Sequence, residues 1–560
     1  MSTEHLHSEI PTPQDKEWEA TMLSFVEQSE SGTPKTESNK KPALRRRTMT
    51  VILSSVGTVL LAVILLVVTL FVQPSQQTDF DTDSGTSNVT NVTKPTISLL
   101  NNAGDADQNI IAKPLQSVDI QNSSENYSIV YDDTAKNYVI KGYEDLALDD
   151  SLVTTLRTHT ETIQAVEEVA DSSNLAAFGL DKPQATASIT YSDGSTARLR
   201  IGNATPSETG FYGQFGDSDK VYIFASDNVA LFRFRASAFV NTLLVATPTV
   251  KSTDSNGVAL LRSATFSGAA HSAPLTLRRS NDKDTEEHSY FTYLITSPYF
   301  RAVRDTKANE LGQFKSLTAT QALVLHPTEE QKKKLGFDNP LMQLTLSMAV
   351  ETEEETEEDS DEAAPIVYYN STDYQITVGS LNDDGNYIVM LEGVNAIFLV
   401  SKADYGYLFD TNYTNAVNEF LFVKAIESIS RVAFRTNGNT YEFTLTHYPD
   451  EEEQNDRLVV KSGDKVYPTE DFRELYGLTM DLERFGSTDT KPTGDVPLEV
   501  FLYDEKGDLY LSAKYYDATG SVCAVETNEG ELFTTRWSYV SFFIQQVENY
   551  INGRDVLVNT

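Results

Sequence analysis

Apolar and polar positions follow three different rhythms along this chain. From Thr48 to Val72 the sequence reads TMTVILSSVGTVLLAVILLVVTLFV, 25 residues without a charge. As a helix rising about 1.5 Å per residue, such a run spans roughly 37 Å, enough to cross a hydrocarbon core of about 30 Å. Arg45, Arg46 and Arg47 stand directly before it, with Lys40 and Lys41 nearby, whereas Gln73 to Gln77 carry no positive charge. The positive-inside rule then predicts a cytoplasmic tail over residues 1–47, a transmembrane helix over 48–72 and an extracellular remainder. A cleaved signal peptide would have a shorter apolar stretch nearer the start, followed by a small-x-small site. The expectation is therefore an uncleaved, single-pass anchor in the cell membrane.

The flanking segments are polar. The tail is rich in Ser, Thr, Glu and Pro, with one short apolar patch from Trp18 to Val26, and reads as largely disordered. Residues 73–113, rich in Ser, Thr, Asn, Gln and Asp, read as a flexible extracytoplasmic stalk. Asp79, Asp81 and Asp83 alternate as in a calcium loop, but the glycine and distant glutamate of such a loop are missing.

Beyond residue 113 the rhythm changes to short alternating runs separated by turn residues, the pattern of antiparallel strands. One stretch breaks it: Leu152, Leu156, Ile163, Val166 and Ala170 fall on one helical face and predict a helix from Ser151 to Ala170. A short element then recurs. Pro327-Thr-Glu-Glu330 precedes Leu335-Gly-Phe337, and Pro468-Thr-Glu-Asp471 precedes Tyr476-Gly-Leu478 at the same spacing. A weaker copy runs from Asp171 to Phe178-Gly-Leu180. Thr328, Thr469 and Asp171 are the expected helix N-caps, Gln331 completes a capping box, and Gly179, Gly336 and Gly477 are expected to end each helix in a left-handed conformation.

Each short helix is followed by a strand pair. Gln184–Tyr191 and Ala197–Ile201 flank an Asp193-Gly194 turn, Leu341–Val350 and Ile366–Val378 flank the acidic run Glu351 to Glu362, and Leu498–Tyr503 and Leu509–Ala513 flank a Gly507 turn. Each set closes on an aromatic-rich helical segment, at Asn228–Phe234, Ala403–Leu408 and Trp537–Ile551. The predicted fold class is α+β, built from repeated units of antiparallel sheet plus helix. The units are expected at 114–250, at 251–425 with the acidic insert 351–362, and, more divergent, at 426–560.

Composition narrows the chemistry. The net charge of −38 disfavours nucleic-acid binding, which needs Lys and Arg to neutralise phosphates. The single cysteine, Cys523, allows neither an internal disulfide nor a cysteine-based zinc site, and its apolar setting, Val522-Cys-Ala-Val525, reads as a buried strand. A large extracellular domain without disulfides points to a bacterial envelope. Asn88-Val-Thr and Asn412-Tyr-Thr match the glycosylation triplet, which there carries no glycan. His159, His271, His288, His326 and His447 form no metal-binding pair, and His5 and His7 sit on the tail. Phosphate loops, dinucleotide fingerprints and serine-hydrolase elbows are missing from the sequence. No catalytic, cofactor-binding or metal residue is assigned. The acidic run reads as a solvated loop, with calcium binding the alternative.

The stretch Phe178-Gly-Leu-Asp-Lys-Pro183, with the strand–Asp-Gly–strand that follows it, the aromatic pair Phe211-Tyr212 and Val221-Tyr222, resembles the domain of unknown function 4340 family. Leu335-Gly-Phe-Asp-Asn-Pro340 and Ile376-Thr-Val-Gly379 repeat parts of the pattern, while the third copy lacks the proline. The resemblance implies an envelope protein associated with ABC-type export systems, in an accessory role beside a permease. It supplies no catalytic residues. The expected function is a membrane-anchored extracytoplasmic accessory or interaction protein with a protein partner in the envelope. The alternative is a cell-wall-acting enzyme whose site is assembled from distant residues.

Overall fold

The computed structural model describes residues 96–104, 111–284, 291–353, 366–448, 457–517 and 520–558. The expected cytoplasmic tail, the apolar run 48–72 and most of the acidic insert lie outside these residues. No helix among the described residues is long and apolar enough to cross a membrane.

Antiparallel sheet dominates, with helices packed on it. The first part of the chain forms β1 (Ile97–Asn101), β2 (Leu115–Asn122), β3 (Asn126–Asp132), β4 (Asn137–Ile140), α1 (Asp150–Glu161), β5 (Thr162–Ala165), β6 (Glu167–Glu168), a 3-10 turn (Leu175–Phe178), β7 (Ala185–Tyr191), β8 (Thr196–Ala204), β9 (Gly210–Phe215), β10 (Tyr222–Ala225) and α2 (Ser226–Val229). Its main sheet is ordered β4-β3-β2-β7-β8-β9-β10-β6.

The second part forms β11 (Leu243–Val245), β12 (Val258–Ser267), β13 (Leu275–Arg279), β14 (Tyr293–Ser297), β15 (Arg301–Ala302), α3 (Asp305–Gly312), β16 (Leu317–Thr318), β17 (Gln321–Leu325), α4 (Glu329–Lys334), β18 (Met342–Glu353), β19 (Ile366–Leu381), β20 (Tyr387–Leu391), β21 (Ala396–Val400), α5 (Lys402–Phe409) and α6 (Tyr413–Ala416). Its sheet is ordered β15-β14-β13-β12-β18-β19-β20-β21-β17.

The third part forms β22 (Ile429–Thr436), β23 (Asn439–Tyr448), β24 (Arg457–Ser462), β25 (Lys465–Tyr467), α7 (Thr469–Gly477), β26 (Gly486–Ser487), β27 (Leu498–Asp504), β28 (Leu509–Tyr515), β29 (Val522–Thr527), β30 (Leu532–Arg536) and α8 (Trp537–Ile551). Its sheet is ordered β25-β24-β23-β22-β27-β28-β29-β30-β26.

Ranked within their own sheets, the strands follow one order in all three. A first meander runs outward to one edge. The chain then crosses back through a helix, lays a short strand at the far edge, and returns with a second meander that fills the gap. The first sheet lacks only the outermost strand of the first meander.

The alternation that predicted strands also sets what is buried. In β7, Ala185, Ala187, Ile189 and Tyr191 face the core, while Ser188 faces out. The first two sheets share one continuous hydrophobic core, from Val118 and Ile129 through Phe239 and Leu244 to Leu344 and Phe398. The third sheet has its own core, centred on Phe434, Phe443, Phe472, Phe543 and Tyr550.

Several expectations need correction. The helix expected over Ser151–Ala170 ends at Glu161. Thr155, Thr158 and Thr160 turn their hydroxyls back onto the carbonyls of Ser151, Thr154 and Leu156, a habit that weakens a helix. The β-branched pair Thr162-Ile163 then enters β5, which pairs with β1. That pairing also takes Ile97–Asn101 out of the expected stalk 73–113 and into the folded unit, where Asn102 N–H donates to the Glu161 carbonyl.

The recurrent short helix is less uniform than its spacing suggests. Thr328 caps α4 with the capping box to Gln331. Asp171 instead closes a local turn onto Ser173, and Asn174 is the cap of the 3-10 turn. Thr469 lies inside α7 and donates its hydroxyl to the Leu458 carbonyl. Gly179 and Gly336 are left-handed, at φ +70° and +84°, but Gly477 is the last helical residue of α7 and is not. The third copy needs no left-handed stop because the chain continues in tight turns through Leu482.

Candidate functional site

A mixed apolar and polar cavity lies at one end of the second sheet. Leu341, Met342, Val378 and Leu381 form an apolar floor, Phe409 a wall, and His271, Asp410, Thr411 and Asn412 the rim of a cavity of about 320 Å³. Elements far apart in sequence converge here: the β12–β13 loop, the start of β18, the end of β19 and the segment after α5.

Tyr387 organises the rim. Its ring stacks on Phe409 at 4.6 Å, and its hydroxyl donates to Asp410 Oδ1 at 2.8 Å. Lys402 Nζ reaches Asp410 Oδ2 at 3.1 Å. Burial pushes the Tyr387 phenol up, and the neighbouring carboxylate adds to the effect. The three polar groups thus satisfy one another, so the cavity offers apolar surface with a neutral imidazole at its lip. Burial holds the His271 imidazole below its ordinary value.

A second surface is the outer face of the first sheet. There Asp119, Gln121, Asn126, Ser128, Thr186, Ser188 and Arg198 line an open polar cleft of about 320 Å³.

The second and third sheets meet at a buried charge cluster. Arg301, whose side chain is 4% exposed, gives Nε and Nη2 to Glu531 Oε2 at 2.9 and 2.7 Å, and Glu531 is 2% exposed. Arg484 Nη2 and the Tyr413 hydroxyl donate to Glu531 Oε1, the former at 2.6 Å. Glu529 also reaches Arg301, at 2.7 Å. Burial alone would raise the Glu531 carboxyl, but the Arg484 and Arg301 charges and the Tyr413 hydrogen bond outweigh it and hold it below its ordinary value. A small apolar patch of Leu294, Ala302 and Val423 lies at the same junction. Two cationic partners and a hydroxyl leave this carboxylate fully engaged, the chemistry of a structural join.

The histidines singled out in the sequence stay apart. His159 lies in the last turn of α1, half-buried, and its Nδ1 has no partner. His326 Nε2 sits 2.6 Å from Asp145 Oδ1, its ring edge-on to Tyr143 at 4.8 Å, and so ties the first sheet to the second. His447 Nε2 contacts the Ile429 carbonyl at 2.9 Å. His288, His5 and His7 fall outside the described residues. Cys523 is a buried residue of β29. Among the described residues, no three His, Cys, Asp or Glu side chains gather as a metal site.

Sequence reading missed Arg301, Arg484 and Tyr413 as partners of Glu531, and Tyr387 as the partner of Asp410. No local spacing signals these pairs, because Arg301 and Glu531 stand 230 residues apart.

Residues 139–340 match the sequence model of a family described as Domain of unknown function (DUF4340). The match takes in the Phe178–Pro183 stretch and ends at Pro340, so it runs from β4 to the residue before the β18 approach. The resemblance read from those motifs holds over this span. No curated protein matches the chain.

Proposed function

We propose that this chain is a membrane-anchored, extracytoplasmic interaction protein, an accessory subunit of an envelope complex beside an ABC-type exporter. In this reading residues 48–72 are the single transmembrane helix, residues 1–47 lie in the cytoplasm, and the three sheets are copies of one α+β unit displayed outside the cell. The observation that carries the reading is the shared strand order of three sheets fused into one body. The first of these sheets leaves its outer face as a polar, open cleft. The apolar run behind three arginines supports the anchor, and one helix is too little to form a transport path. The exporter comes from the family resemblance alone.

Affinity capture of the full-length chain from its native membrane tests this function. Recovery of a permease or ATPase supports it. Recovery of neither, together with wall-degrading activity of the purified chain, overturns it in favour of an enzyme. Protease added to intact protoplasts tests the topology: the large C-terminal part is digested and a small fragment survives. Protection of the C-terminal part would refute the orientation.

A further inference from the structure

We propose that the outer face of the first sheet binds a short zwitterionic peptide, its ammonium at Asp119 and its carboxylate at Arg198. The proposal goes beyond the accessory role and does not depend on it.

The register places the two charges in one row. Asp119 on β2 is opposite Ser188 on β7, and Ser188 is opposite Arg198 on β8. Residues directly opposite across a ladder share a face, and Val118, Ile120, Ile189 and Leu199 beside them point into the core. With strands about 4.8 Å apart, the Asp119 and Arg198 backbones stand about 10 Å from each other. Ser188, between them, is too short to fill the gap.

The parallel row two residues along is made of Asn126, Gln121 and Thr186. These amide and hydroxyl groups line the same cleft as the charged pair. The result is a slot with a carboxylate at one end, a guanidinium at the other, and uncharged donors and acceptors along its floor.

The Arg198 guanidinium has no carboxylate, ring or hydrogen-bond partner among the described residues. The third sheet, with the same strand order, closes its outer face instead. There Arg435 Nη1 pairs with Glu499 at 2.7 Å, and Arg431 pairs with Glu442 at 3.1 Å while lying 3.6 Å over the Tyr503 ring. At the other end of the slot, Asp119 Oδ1 takes the Ser128 hydroxyl at 2.5 Å, which leaves Oδ2 for a ligand donor.

Size and spacing choose the ligand class. The cleft of about 320 Å³ is at the lower end of small-molecule sites, which run to roughly 1,000 Å³. Each extended residue spans about 3.5 Å, so a dipeptide or tripeptide reaches from one charge to the other. Its amide groups then meet Gln121, Asn126 and Thr186. An anion alone would leave Asp119 facing it unfavourably, and a cation alone would meet Arg198.

Isothermal calorimetry on the full-length chain with dialanine tests the proposal, with N-acetylated and C-amidated dialanine as controls. The expected result is saturable binding of the free dipeptide. Capping either end, or Arg198→Gln, or Asp119→Asn, each weakens it by about tenfold, the loss of one charge-assisted contact. Both positions are exposed, and unchanged melting curves of the variants verify that the fold is retained. No saturable heat up to about 10 mM, where free energies of binding fall below 3 kcal/mol, overturns the proposal. So does equal binding of the capped peptides, or binding unaffected by Arg198→Gln. Binding of the N-acetylated form as tight as that of the free form overturns the zwitterion and leaves an anion site.

Discussion

Arg301 of the second sheet holds both its Nε and Nη2 against one oxygen of Glu531 in the third, at 2.9 and 2.7 Å, with both side chains nearly sealed from solvent. This contact stands where the continuous core of the first two sheets stops and that of the third begins. It therefore controls the coupling of two cores more than the existence of either.

Arg301→Met should expose that division. Removing one partner of a buried pair costs about 3 kcal/mol, because the other charge is left poorly compensated. The expected outcome in scanning calorimetry is two resolved transitions where the parent shows a more cooperative one. A single, unshifted transition would show that the junction is held by other contacts.

Acid should weaken the same junction. The folded Glu531 carboxyl lies below its ordinary value of 4.5. Its stabilisation is thus fully present above that value and is lost as pH falls through the lower folded value. Urea midpoints of the parent should drop steeply below pH 4.5, and Glu531→Gln, already weaker at neutral pH, should lose less of its stability over that range.

The two partly buried histidines act in a milder range. Burial holds His159 and His271 below 6.5, so the folded chain resists protons that the unfolded chain accepts. The sign is a loss of stability as pH falls from 6.5 toward the folded values, with none above 6.5. A His159→Gln, His271→Gln double variant should flatten the urea midpoint between pH 7 and 5. An unchanged slope would assign the effect to other groups.

Two glycines from different parts of the recurring pattern should respond oppositely to alanine. A Cβ on Gly379 would stand 2.2 Å from the Leu335 carbonyl oxygen, so strand and short helix must part, and a cost above about 2 kcal/mol is expected. A Cβ on Gly477 meets nothing within 4 Å, and its backbone is helical. Gly477→Ala should therefore stabilise by up to about 1 kcal/mol. Chemical denaturation of the two variants distinguishes them.

Cys523 should be silent until the chain unfolds. Burial pushes its thiol up to about 11, and its sulfur is directed at the Thr535 carbonyl. A maleimide reagent at pH 7 is expected to label it only in denaturant. Rapid labelling of the native chain would contradict its place in β29.

How far the sequence spoke depended on the range of each interaction. The strands were legible because alternation is local: β7 and β27 match their expected bounds to within a residue. The helix over 151–170 was overextended because Ile163 and Val166 fit a helical stripe as well as a strand, and the choice was made by β1, far upstream, where Leu100 pairs with Ile163. Caps were legible where the side chain bonds its own helix, as Thr328 does, and not where it bonds elsewhere, as Thr469 does. The charge cluster, the Tyr387–Asp410 pair and the polar slot join residues from distant strands. A single sequence carries no signal for such pairs until register is known.

The strand order has a consequence for how the chain reaches its fold. In each sheet the two meanders consist of neighbours in sequence, but they are joined along one seam: Ile120 beside Ala187, Leu260 beside Ala349, and Phe434 beside Val500. Hairpins close in microseconds, whereas a seam must wait until the crossover helix and its edge strand have been made. A chain emerging from its N-terminus thus presents, three times over, a half-sheet whose seam edge stays unpaired until the second meander arrives. That edge is a template for the wrong partner. The interval between the two halves, set by the speed at which the chain emerges, is the period in which this protein is open to misassembly and to a chaperone.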